Sequence, residues 1–359
     1  LGIFKKVKTD IKDGSNNSLK EIDIDVEERP TGEISLTAGF GTSGETIGAG
    51  IKENNFLGKG IKLNTNFEVT SESIKGQFIY AKPNFNYSDN TLFTSIKSST
   101  SDFLTNSGYK TSEIGFSLGT KFEQFQNIFL SPELDFLIED LETNNAASNI
   151  LKKQEGSYTD LYFNYSINQD LRDKKFRTES GYVTTFSQEL PLLSDNAELS
   201  NAFEVTNYKK LSSTSDMVGK VSFFGKTITG LSDDVRISKR LNVPSYRLRG
   251  FERGKIGPVE NNDYIGGNHI TAFNISATLP TIVQGLDMLD VGVFFDAANV
   301  WGVDYDSSID DKSTLRSSTG VALNLMTPVG PLSFSFANAL TKASSDKTES
   351  FRFNLGTQF

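Results

Sequence analysis

The feature that most constrains this chain is a repeat of two. From Glu33 onward, apolar and polar residues alternate in one segment after another. Ile34, Leu36, Ala38 and Phe40 alternate with Ser35, Thr37 and Gly39, and Ile61, Leu63, Thr65, Phe67 and Val69 repeat the pattern. So do Ile114, Phe116, Leu118, Thr120 and Phe122; Leu161, Phe163, Tyr165 and Ile167; Phe273, Ile275, Ala277 and Leu279; and finally Phe351, Phe353, Leu355 and Phe359. Such spacing sends successive side chains to opposite faces of a β-sheet. A soluble sandwich buries the apolar face in a shared core, whereas a barrel in lipid turns it outward. Alternation alone does not choose between them.

Connection lengths favour the barrel. Counting from Glu33 gives about sixteen strands, an even number as bacterial barrels require. Long polar connections follow odd strands, at 139–157, 190–199, 230–267, 298–312 and 342–349. Mostly short ones follow even strands, at Asn54–Gly60, Tyr87–Asn90, Glu123–Gln126, Ser213–Ser215 and Pro328–Pro331. The expectation is an all-β, 16-stranded antiparallel transmembrane β-barrel over residues 31–359. Parity puts Phe359 and the N-terminal segment on the periplasmic side of an outer membrane. Low overall hydropathy is compatible with this, because alternating segments of ~10 residues average away in a hydropathy window. Trp301 and many of the 11 tyrosines then read as interfacial girdle residues.

Residues 1–30 read differently. Two strands around the turn Asp13–Asn17, with Ile22, Ile24 and Val26 alternating against charges, cannot bury a core alone. They are expected to be the tail of a small α/β domain of a longer exported protein, with Arg29–Gly32 as a hinge. Composition excludes several chemistries. The chain has no cysteine and a single histidine, His269, so disulfides, thiolate metal sites and histidine clusters are ruled out. Net charge is −9 with no long basic run, which argues against nucleic acid. Asp304, Asp306, Asp310 and Asp311 read as a solvated acidic loop rather than a cation site. His269 with Asn274 and Ser276 does not make a hydrolase, so neither an enzyme nor a metal or nucleotide cofactor is expected.

Among the long connections, 230–267 stands apart. Its stretch SYRLRGFERGKIGP holds Arg247, Arg249 and Arg253, with Arg240 close by, and Gly250 and Gly254 permit tight bends. Arginines drawn inside a barrel need acidic partners there.

LRGFERGKIGP resembles the arginine–glycine–phenylalanine loop motif of the BamA-like outer-membrane-protein assembly family. The similarity extends along the chain. Val26–Gly32 resembles the junction from the last periplasmic POTRA domain into the barrel, and Asn54–Gly60 the first periplasmic turn. DLRDKKFRTESG resembles the turn before the ninth strand, with Arg177 where proline is usual. VFFDAANVW resembles the thirteenth strand, with Ala298 replacing a common glycine, and MTPVGPLSFSFA and FRFNLGTQF the last two strands.

The resemblance implies that residues 1–30 are the end of a POTRA domain and that the sixth loop folds back into the lumen. Arg249, in the motif Arg249-Gly250-Phe251, would then pair with Asp296. Alternation independently puts Asp296 with Asp290 and Gly292 opposite Val291, Val293 and Phe295. A glutamate that the family often carries on the twelfth strand has no counterpart, since 268–280 contain no carboxylate. The implied function is folding and insertion of outer-membrane proteins through a lateral gate between the first strand, Glu33–Gly41, and the last, Ser350–Phe359. Glu33, Gly39, Gly41, Gly356 and Phe359 mark that seam. Implied partners are unfolded outer-membrane proteins, outer-membrane lipid, and periplasmic chaperones and accessory lipoproteins acting through POTRA domains. Rival readings are a polypeptide-translocating pore of the two-partner secretion type and a passive porin.

Overall fold

A computed structural model describes residues 3–16, 18–42, 44–105, 107–145, 147–175, 177–280, 289–327 and 330–355. The chain opens with a hairpin, β1 (Phe4–Asp13) and β2 (Lys20–Glu28), pairing Val7 with Val26, Thr9 with Ile24 and Ile11 with Ile22. A meander follows: β3 (Gly32–Gly41), β4 (Gly44–Phe56), β5 (Ile61–Thr70), β6 (Ser73–Lys82), β7 (Thr91–Phe103) and β8 (Tyr109–Phe125). It continues through β9 (Ile128–Thr143), β10 (Gly156–Asp170), β11 (Gly181–Ser194), β12 (Glu198–Lys210) and β13 (Val218–Gly230). A long loop then carries a two-residue ladder, β14 (Val259–Glu260) with β15 (Asp263–Tyr264). The meander resumes with β16 (His269–Thr278), β17 (Leu289–Trp301), β18 (Arg316–Thr327), β19 (Gly330–Thr341) and β20 (Phe351–Leu355). β20 pairs antiparallel with β3, closing a sixteen-stranded barrel of β3–β13 and β16–β20. Closure satisfies the edges that an open sheet would leave bare.

The outer face is apolar along its whole circumference. Ile34, Leu36, Ile47, Phe67, Ile96, Ile114, Leu134, Phe203, Val221, Phe273, Val293 and Phe336 all stand exposed. So wide an apolar belt is stable only against lipid.

Two expectations about connections need correction. The connections at 139–157 and 190–199 shrink to 144–155 and 195–197, because the β9–β10 ladder continues through polar residues, while Leu190–Ser194 go on pairing with β10 and Glu198 and Leu199 with β13. Backbone pairing is indifferent to side-chain polarity, so a polar run did not mark a strand end. Gly41 pairs directly with Gly44, and β5 and β6 are joined through 71–72 alone, while the connection 171–180 at the opposite end is longer. Length segregation therefore rests mainly on 144–155, 231–268, 302–315 and 342–350.

The lumen also departs from a simple polar interior. Residues 231–268 fold inside the barrel, and their apolar side chains, among them Val235, Leu241, Val243, Leu248, Phe251 and Ile256, form one buried cluster with Ile228, Ile270, Ala272, Ala298 and Val300 of the wall. What reads as a polar excursion carries its own core, held against the inner faces of β13, β16 and β17. Burial of these side chains withdraws them from lumenal water, which favours the inserted loop.

Leu248→Ala should therefore lower barrel stability by about 2–5 kcal/mol, whereas Leu36→Ala, on the lipid face and 83% exposed, should change it little. The midpoint of loss of the heat-resistant form on gel electrophoresis measures both. Equal shifts for the two variants would contradict a packed lumenal core.

Candidate functional site: the lumenal loop and the seam

The loop is fixed to the wall at successive arginines. Arg236 is fully buried between Val235 and Ile237. Its Nη2 donates to Asp160 Oδ2 of β10 at 2.6 Å, and Nη1 lies 3.2 Å from Glu139 Oε2 of β9. Glu198 of β12 accepts from its backbone N–H at 2.7 Å, and the guanidinium covers the Tyr158 ring. Three buried carboxylates thus surround one cation, with Lys239 3.8 Å from Glu139.

Arg240 donates to Asp304 Oδ1 at 2.6 Å. Asp304 Oδ2 accepts from Val235 N–H and from Asn268 Nδ2. Burial alone would raise the Asp304 carboxyl, but the Val235 N–H, the Arg240 charge and the Asn268 amide hold it below its ordinary value. Asp304 thus anchors the loop through Arg240, Val235 and Asn268. Among the described residues no group of acidic or histidine side chains is arranged to hold a metal. His269, at the start of β16, packs its ring 5.4 Å from Trp301.

Arg247 pairs with Glu204 of β12 at 2.8 Å and lies over Phe224. Two residues on, Arg249 meets Asp296 of β17. Asp296 Oδ2 accepts from Arg249 Nε at 2.8 Å and from its backbone N–H at 3.1 Å, while Oδ1 accepts from Nη2 at 2.9 Å. Asn274 of β16 donates Nδ2 to the same Oδ1 at 2.8 Å and also to Arg247 O. An amide therefore stands in the twelfth barrel strand where a carboxylate was sought. Asp296 is fully buried, and four donors satisfy it. The Arg249 guanidinium also sits 3.5 Å from the Phe294 ring centre, a cation–π contact. Asp290, on the same face of β17, instead pairs with Arg177 of the 171–180 turn at 2.9 Å. Arg253 is exposed.

Gly250 takes a left-handed φ of +89°, and a Cβ there would stand 3.1 Å from Ala337 and 3.2 Å from Ser318. The motif turn is pressed onto β18 and β19, where Ser318 Oγ donates to Arg249 O. Phe251 is buried and bridges to Thr348 before β20.

These ties fall on β9, β10, β12 and β16–β20. Beside the inner wall of β3–β8 lie two cavities. One of about 630 Å³ runs between the loop and Thr42, Glu72, Phe103 and Tyr109; another of about 440 Å³ is lined by Ser35, Thr37, Gln77 and Lys97 among others. The seam borders this space. Its described part pairs Asn354 with Gly41 and Leu355 with Phe40, and Thr42 N–H donates to Phe353 O at 3.1 Å. Gly41 is pressed against β20, since a Cβ would come within 2.5 Å of Phe353 O and of the Asn354 side chain. Gly39 is less tight, with Leu355 O at 3.4 Å from its Cβ position. Glu33 lies opposite Lys52 of β4, away from these pairs. Gly356 and Phe359 lie outside the described residues.

With this geometry in view, comparison with known proteins is decisive for the family. Residues 55–359 match the Omp85 superfamily domain. The chain belongs to the Omp85 superfamily. It is 24% identical over its whole length to outer membrane protein assembly factor BamA of Neorickettsia risticii (strain Illinois), covering 49% of that protein. It is also 24% identical over its whole length to the protein of the same name from Neisseria meningitidis serogroup B, covering 51% of it. The chain spans about half the length of the curated relatives it matches. The crystal structure of BamA from Haemophilus ducreyi lacking POTRA domains 1–3 superposes with a TM-score of 0.85 at 24% identity, covering all of this chain and 76% of that one. CdiB from Acinetobacter baumannii shares the fold more distantly, with a TM-score of 0.59 at 13% identity, covering 99% of this chain and 66% of that one. As an Omp85 barrel with a continuous apolar belt, the chain resides in the outer membrane of a Gram-negative bacterium.

In this Omp85 chain, Arg236, Arg316 and Arg352 were not singled out from sequence, and Asn274 was named only beside His269 and not as a partner of Asp296. A readable signal for Arg236 was its placement between two apolar residues in a loop. Another was the set of carboxylates, Glu139, Asp160 and Glu198, near the loop ends of nearby strands. Arg236→Ala should destabilise the inserted loop by about 3–5 kcal/mol, because it leaves those carboxylates buried without their cation. Arg253→Ala should stay within about 0.5 kcal/mol. Limited proteolysis of the loop in membrane vesicles distinguishes them, and equal protection of both variants would contradict the anchor.

Proposed function

We propose that this barrel folds and inserts other β-barrel proteins into the outer membrane, with the β3–β20 seam as a lateral gate. The observation that carries the reading is asymmetry. The loop's polar ties are gathered on β9, β10, β12 and β16–β20, while the seam lies beside open lumenal space. Two relatives matched over the whole chain are named outer membrane protein assembly factors, which supports the same reading.

The mechanism is strand exchange without covalent chemistry. Parting β20 from β3 bares backbone N–H and C=O groups that lipid cannot satisfy. An incoming substrate strand adds to the edge of β3 by β-augmentation and restores those bonds. Each ladder bond contributes only about 0.5–1.5 kcal/mol net, so exchange between one partner strand and another is close to balanced. Gly39 and Gly41 keep this edge free of side chains that would resist a new strand. The substrates are unfolded outer-membrane proteins, and the lipid beside the seam receives them. Residues 1–30 are the end of a periplasmic POTRA domain through which chaperones and accessory lipoproteins act.

A translocating pore would need the loop to leave the lumen, at the expense of every arginine contact described above. That disfavours both the secretion-pore and the porin readings.

The test uses Phe40→Cys with Leu355→Cys, a facing pair in a chain without native cysteine. Oxidation should stop assembly of a model barrel substrate in proteoliposomes, and reduction should restore it. Normal assembly by the oxidised protein would overturn the gate.

A further inference from the structure

We propose that Arg352 is a positioning residue that clasps the last barrel strand to the lumenal loop, so that the seam parts from its turn end while the loop end of β20 stays held. The inference rests on the gate reading above and adds where the gate hinges.

Alternation along β20 turns Phe351 and Phe353 outward, where their rings stack at 6.2 Å, and turns Arg352 inward. Arg352 is buried. Its Nη1 donates to Ser245 O at 2.9 Å and its Nη2 to Phe251 O at 2.7 Å. One guanidinium therefore spans both ends of the stretch carrying Arg249 and Gly250. Glu349 Oε2 accepts from Nη2 at 2.8 Å and from Nε at 3.1 Å, which compensates the buried charge. Planar geometry lets a single arginine make all these contacts, and lysine has no equivalent fork.

The backbone reinforces this clasp. Glu252 N–H donates to Lys347 O at 3.1 Å, Glu349 N–H to Gly250 O at 3.1 Å, and Lys347 N–H to Lys255 O at 3.0 Å. The loop thus lies as a short added strand along the segment that enters β20. Further back, Asp346 is gripped by Arg316 of β18 through Nε and Nη2, at 2.9 and 3.0 Å. On the seam side, β3 ends at Gly41, which faces Asn354. Phe351 and Arg352 lie beyond that level. Their fixed neighbours are β19, through Phe336 and Ser335, and the lumenal loop. Leu355, by contrast, faces Phe40 across the seam. A strand gripped by the loop at one end and by an exchangeable neighbour farther along hinges between the two, next to Arg352.

Hydrogen exchange of the full chain in nanodiscs, without substrate, tests the clasp apart from the gate. Arg352→Met should speed exchange at residues 350–353 at least tenfold while β16 and β17 stay protected. Arg352→Lys, which retains the charge facing Glu349, should fall between Met and wild type. Unchanged exchange in the Met variant, a Lys variant equal to wild type, or equal acceleration in β16 and β17 would each overturn the proposal. The cysteine lock above leaves Arg352 intact, so a locked barrel that still assembles substrate would sink the gate and leave the clasp to stand on exchange alone.

Discussion

An arginine carried into a closed barrel has to find a carboxylate, and the arrangement of this protein follows from that requirement. Charges held away from water are costly unless paired and hydrogen-bonded. Here Asp296 takes two side-chain donors and a backbone N–H from Arg249 alone, with Asn274 supplying the fourth. Arg236, Arg240 and Arg247 find Asp160, Asp304 and Glu204 in turn. Each pair fixes a point along the loop, and the apolar residues between those points pack into a core inside the lumen. Polar anchors set the loop's path, and apolar burial holds it there.

The consequence is a barrel with two unlike halves. β16–β19 are braced from within by loop residues, and β9, β10 and β12 by Arg236 and Arg247. β3–β8 line cavities, with Tyr109 and Phe103 at the loop ends of β8 and β7 packed against Ile237 and Ile265 of the loop, and the strand that closes the ring meets β3 on this less braced side. A gate placed at β3–β20 thus sits where the inner support ends. The Arg352 contacts give the last strand a grip on the braced side, so loop and seam form one mechanical unit.

Much of this was legible in the sequence because the strands obey a strict period. Ile34, Leu36 and Phe40 on β3, or Phe273 and Ile275 on β16, could be placed outward by counting, as could Asp296 inward. Strand ends were harder to read. Asp140 and Glu142 look like loop residues but pair in the β9–β10 and β8–β9 ladders, since backbone hydrogen bonds do not register side-chain polarity. The lumenal core was hidden for a related reason. Val235, Leu241 and Leu248 are scattered among charges at no fixed spacing, and only the path of the loop brings them together. The place of Asn274 beside Asp296 was missed because a carboxylate was sought on that strand, and Arg352 because one arginine in an aromatic strand reads as an ordinary lumenal charge.

The most direct test of the central claim is a distance across the seam while substrate is present. Spin labels at Leu36→Cys on β3 and Phe336→Cys on β19 flank β20, with a control pair at Ile114→Cys on β8 and Leu134→Cys on β9. Pulsed electron resonance in lipid should show the first distance lengthening and broadening when an unfolded barrel protein is added, with the control pair unchanged. A seam distance as fixed as the control, under conditions in which the substrate is assembled, would contradict the account.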